Sequence, residues 1–159
     1  MDYTLRPATT ADSHQINQVL RAAFTGPDEA ELVRRLRASD NMVLELIAQS
    51  SDLAGYVAIS KMVAPLGWLV LAPLAVLPDA QGQGIGSELA RAALRFAVDE
   101  IKAPICVLGK VDFYERQGFS QKRAAGLQSR YPIKSTMLAG PGDEVPTGKL
   151  TYSSAFDVV

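Results

Sequence analysis

The chain has 159 residues, enough for one domain that buries roughly 70% of the surface its unfolded form exposes. Hydrophobic residues at 48% and charged residues at 21% exclude a disordered or fibrous protein, and a formal net charge of −1 gives no general attraction to nucleic acid or an anionic membrane. One cysteine, Cys106, and one histidine, His14, exclude an internal disulfide, a multi-cysteine metal cage and every nucleophile mechanism that uses a histidine base. No metal is expected.

Residues 1–7 lack the basic-then-apolar layout of a leader, and the longest apolar run, Trp68 to Leu77, is too short to span a bilayer and contains Pro73. Together with the lone thiol, this predicts a cytoplasmic protein with no membrane partner.

Tyr3 to Arg6 reads as a first strand. Thr9 and Asp12 have capping-box spacing before Ile16, Val19, Leu20, Ala23 and Phe24, which recur at helical period. Gly26-Pro27 breaks that helix. Asp28 is positioned to cap a second one, with Leu32, Val33 and Leu36 inward and Arg34, Arg35 and Arg37 outward, leaving a loop near residues 25–30.

Met42 to Ala48, Leu53 to Val63 and Trp68 to Leu77 read as an antiparallel meander. A helix follows with Ile85, Leu89, Ala93, Phe96 and Ala97 on one stripe, ending near Lys102. The apolar run Ile105 to Leu108 then lies parallel to the strand at 68–77, because strand, helix and strand make a right-handed crossover. Asp112 to Gln117 form a short helix stopped by Gly118. Beyond Phe119 the chain breaks into short extended pieces, with Met137-Leu138 and Leu150-Thr151-Tyr152 as the expected strands.

The richest signal is Leu74 to Leu89, where an apolar strand enters the turn Gln81-Gly82-Gln83-Gly84-Ile85-Gly86-Ser87 and opens directly into a helix. Free backbone N–H groups and the positive helix end converge there, a geometry suited to a phosphate. The sequence begins a G-x-G-x-x-G dinucleotide motif but has Ser87 at the third glycine place, and a P-loop would need a Gly-Lys-Ser/Thr that is absent.

This turn, the apolar strand before it, and Phe113-Tyr114-Glu115-Arg116-Gln117-Gly118-Phe119 after the next strand resemble, in that order, the GCN5-related N-acetyltransferases. The phosphate turn of that family, Q/R-x-x-G-x-G/A, is matched by Gln81, Gly84 and Gly86, and its tyrosine followed by a glycine-aromatic pair is matched by Tyr114, Gly118 and Phe119. The resemblance covers residues 3–120. The tail, 121–159, looks like one bacterial branch of predicted acetyltransferases, and the whole chain, 1–159, is expected to form one acetyltransferase domain.

The resemblance implies an α+β fold: a twisted, mostly antiparallel sheet with one splayed parallel strand pair and helices on both faces. It implies acetyl-CoA as cosubstrate, held by Leu74, Ala75, Val76, Gln81, Gly82, Gln83, Gly84, Ile85, Gly86, Ser87, Phe113 and Tyr114. The strand is expected to bulge at Ala75-Val76 so that pantetheine pairs with it, with the Val76 amide as oxyanion donor and Tyr114 as general acid. The implied reaction is direct acetyl transfer to a primary amine in a ternary complex, by a monomer or homodimer.

Many relatives carry a glutamate on the strand before the turn, but Trp68 to Leu77 has no carboxylate, which leaves Glu29 and Glu45 as possible bases or amine anchors. That departure keeps a non-catalytic acyl-CoA binding or sensing module as the rival reading. Arg91 and Arg95 could touch a nucleotide phosphate or face solvent. Cys106, flanked by Ile105, Val107 and Leu108, reads as core and His14 as surface.

Overall fold

The structure, a computed structural model, describes residues 2–159. Its main sheet has the order β1 (Thr4–Pro7), β2 (Met42–Gln49), β3 (Leu53–Lys61), β4 (Leu69–Val76), β5 (Ile105–Leu108), β7 (Thr136–Ala139). Every pairing within this sheet is antiparallel except β4 with β5. The expected α+β architecture, including its single parallel pair, is therefore present.

β3 lies at the centre, and its near-continuous burial is that of a strand covered on both faces. Its side chains alternate between two cores. Val57 and Ile59 join α3 (Ile85–Arg95) and α4 (Val111–Gln117), while Tyr56 and Ala58 join α1 (Ser13–Phe24) and α2 (Asp28–Ala38). After α3 the helix widens into a π turn over Phe96–Ile101 before β5.

The Thr9/Asp12 pattern forms as expected. The Asp12 carboxylate accepts the Thr9 N–H at 2.7 Å and two Arg6 guanidinium bonds at 2.9 Å, tying β1 to the start of α1. Asp28 does not cap α2. Pro27 occupies the cap position and Asp28 begins the helix, so its charge acts on the helix end without a side-chain capping bond.

The tail differs more. Ser120 caps a short helix, α5 (Gln121–Ala124), by accepting the Arg123 N–H at 3.2 Å. The second small sheet pairs β6 (Leu127–Gln128) with β8 (Gly148–Lys149). Instead of continuing as a strand, residues 150–152 bury Leu150 beside Leu138 and Phe156, and only Thr151 makes a bridge, to Ala64.

The bulge in β4 is at Ala72-Pro73, not at Ala75-Val76. Val57 pairs with Leu74 and Ile59 with Leu71, so two β4 residues oppose Ala58 alone. Proline has no N–H for the ladder, which explains this position. The extra residue also resets the pleat, placing Leu71 and Leu74 in the same core although they are three apart.

Gly55 sets the seat of α3 on the sheet. A Cβ there would lie 2.9 Å from both Ile85 Cγ2 and Leu89 Cδ1. Gly55→Val is expected to lower unfolding free energy by about 1–3 kcal/mol through overpacking, as read by urea denaturation.

Candidate active site

β4 and β5 pair only through Leu69–Ile105, Val70–Cys106 and Leu71–Val107. Past Leu71 the strands part. A cavity of about 800 Å³ opens at this point, lined by Leu71 and Tyr114 from one side of the sheet and by Leu32 and Val70 from the other. It therefore runs through the sheet at the split.

The antiparallel alternation fixes which backbone groups face that opening. Leu77 N–H donates to Ala54 O at 2.8 Å, so Leu77/Ala54 and Ala75/Tyr56 are hydrogen-bonded pairs, while Val76/Gly55 and Leu74/Val57 are not. The amides of Leu74 and Val76 thus point away from β3 into the split. Those of Ala75 point to β3, and its methyl is buried against the α1 core, so Ala75 presents nothing to the cavity.

Downstream, Gly82 and Gly84 have φ of +81° and +85°, a region that side chains disfavour, and nothing lies within 4 Å of a Cβ at either place. Gly84 precedes α3, and Glu88 N–H makes the first helical bond, to Gly84 O at 3.0 Å. The amides of Ile85, Gly86 and Ser87 are therefore the unpaired donors of the helix start. Gln81 has a different task from its neighbours, since its Nε2 donates to Val76 O at 3.1 Å and pins the turn to the end of β4. Gln83 is exposed and lies outside the cavity wall.

Tyr114 and Phe113 line the same cavity from α4. The Tyr114 ring is held edge-on between Phe113 and Phe119, with centroids at 4.9 and 5.8 Å. Burial pushes its phenol up to about 12, so it stays protonated far above neutrality. Gln117, buried on the same helix, donates to Ser87 Oγ at 3.2 Å and to Phe113 O at 3.0 Å, which joins α4 to the first turn of α3.

Of the two proposed carboxylates, only Glu29 reaches the cavity. Glu45 takes a bond of 2.6 Å from Arg37 and one of 2.7 Å from the buried Tyr56 hydroxyl, which occupy it elsewhere. Arg91 and Arg95 are exposed and off the wall, where Lys110 and Arg116 supply the positive charge instead. The sequence reading missed these two because a cation just before a short helix and another on its exposed face look merely solvated. Cys106 is buried, with its thiol pushed up to about 12, and His14 is exposed, both as expected. Among the described residues no group of side chains could hold a metal ion.

A split parallel pair next to a glycine turn at a helix start defines the architecture of a CoA-dependent acyltransferase. The profile of the Acetyltransferase (GNAT) family matches residues 13–119, and the chain belongs to that family. It is 32% identical over 133 residues to the uncharacterised N-acetyltransferase YhbS of Escherichia coli K12, covering 80% of each chain. The crystal structure of Escherichia coli YhbS in complex with CoA superposes with a TM-score of 0.86 at 28% identity, covering 98% of this chain and 92% of that one. A GNAT family acetyltransferase from Brucella melitensis in complex with acetyl-CoA gives 0.81 at 30% identity, covering 98% and 99%.

Gly109 makes room for the tyrosine, since a Cβ there would lie 2.6 Å from Tyr114 Cε2. Gly109→Ala is expected to displace the ring and lower stability by about 1–3 kcal/mol, checked by denaturation together with near-ultraviolet circular dichroism.

Proposed function

We propose that the chain transfers the acetyl group of acetyl-CoA directly to a primary amine. The observation that carries this reading is the pair of backbone amides, Leu74 and Val76, turned into the split beside the free donors of the α3 start. The diphosphate rests on the amides of Ile85, Gly86 and Ser87, and the pantetheine arm pairs with β4 as an added strand. Lys110 and Arg116 balance the phosphate charge. The complexes of the YhbS and Brucella melitensis relatives with CoA and acetyl-CoA support the same cosubstrate here.

In the proposed reaction the acceptor ammonium first gives a proton to water, the neutral nitrogen attacks the thioester carbon, and the Val76 N–H stabilises the oxyanion of the tetrahedral intermediate. The C–S bond then breaks, the Tyr114 hydroxyl gives its proton to the departing thiolate, and the phenolate so formed is reprotonated by the surplus proton of the new amide nitrogen. Cys106 carries no acyl group, because its buried thiol remains protonated. Cavity walls come from both the stretch before residue 121 and the tail, which supports treating residues 1–159 as one domain. Among the described residues no helix is long and apolar enough to cross a membrane; we infer a cytoplasmic enzyme from this and the lone thiol.

Gly84→Glu is expected to abolish the heat of acetyl-CoA binding in calorimetry while circular dichroism shows the fold retained. Binding unchanged in the folded variant counts against the phosphate turn. Tyr114→Phe is expected to keep cosubstrate affinity and lower kcat about 10²-fold, read as CoA-thiol release. Binding without thiol release in the unmodified protein, across amine classes, would favour the non-catalytic module.

The phenol must be protonated to act, and burial raises its pKa from 10.0 to about 12. The alkaline limb of kcat is therefore expected to show no fall centred on the ordinary tyrosine value, as measured by a pH–rate profile.

A further inference from the structure

The cavity is charged oppositely at its two ends. Lys110 and Arg116 line it from the cap and body of α4, the helix that Gln117 ties to the first turn of α3. On the other side of the sheet, Glu29 is the one carboxylate side chain on the wall among the described residues. It is half-buried in the first turn of α2 and makes no ion pair among them, whereas its neighbour Glu31 is paired with Arg34 and Arg35.

Apart from Glu29 and the hydroxyls of Tyr131 and Tyr152, the wall on this side of the sheet is apolar. Phe24, Leu32, Pro73, Tyr152 and Phe156 form it, drawn from α1, α2, the β4 bulge and the tail. A multiply charged acceptor would leave its further cations facing hydrocarbon without partners. A molecule with one ammonium and an apolar body would match both the carboxylate and the surface around it.

We propose that the acceptor is a primary amine on an aromatic or alkyl body, with Glu29 docking its ammonium, which gives a proton to water before the nitrogen attacks, and Phe24, Leu32 and Phe156 covering the body. The inference rests on the transfer reading above and adds the acceptor class and the residue that selects it. Phe24, at the end of α1, is 37% exposed and can be shortened without opening a core.

The test is CoA-thiol release with phenylethylamine and hexylamine against spermidine and a lysine peptide. Phenylethylamine and hexylamine are expected to give kcat/KM at least about tenfold above the polycationic and peptide acceptors. Glu29→Gln is expected to raise the amine KM about tenfold and leave the acetyl-CoA KM unchanged, with Glu29→Asp recovering part of the loss. Phe24→Ala is expected to lower kcat/KM for the apolar amines alone. Equal or better use of spermidine or the peptide overturns the acceptor class, and an unchanged amine KM in Glu29→Gln overturns the anchor. If no amine releases CoA while acetyl-CoA still binds, the transfer reading itself fails, an outcome distinct from both.

Discussion

Everything at the site depends on β4 leaving β5 after three paired residues. A parallel pair that continued would satisfy the amides of Leu74 and Val76 within the sheet and close the cavity. Pro73 works against continuation because it offers no N–H and its bulge turns the strand. The result is an open stretch of strand edge inside the protein, where an extended ligand can pair without competing with a neighbouring strand.

The fold holds that edge in register with the phosphate turn. Gln81 bonds to Val76 O, Gly55 lets the start of α3 settle on β3, and Gln117 ties α4 to Ser87. None of these contacts is chemistry in itself. They fix the distance between diphosphate donors, strand amides and the Tyr114 phenol, so that one bound molecule can meet all three. The glycine turn lies on one side of the sheet and Glu29 on the other, and in the proposed reaction the two substrates meet at the split.

Much of this was legible because the signals are local. Glycines at 82, 84 and 86 at the end of an apolar strand specify a turn, and the stripe from Ile85 to Ala97 specifies the helix after it. The parallel return of Ile105 to Leu108 follows from the helix between the strands, which carries the chain back along the sheet. The bulge was misplaced by three residues because its position depends on the partner strand, although Pro73 itself was a visible signal. The tail was read least well. β7 covers the expected Met137-Leu138 strand, but β6 and β8 are two residues long and pair across about twenty residues of sequence, so burial of Leu150 decides the path there rather than any local period. Glu29 could be named as a candidate but not separated from Glu45, since only the folded chain shows Arg37 and Tyr56 occupying the latter.

The most direct measurement is residue-resolved amide hydrogen exchange with and without acetyl-CoA. Slowed exchange is predicted at Leu74, Val76, Ile85, Gly86 and Ser87, with little change at Ala75, whose N–H is already given to β3. Saturating acetyl-CoA that leaves Val76 and the Ile85–Ser87 amides exchanging as before would contradict a cosubstrate held in the strand split on the helix start.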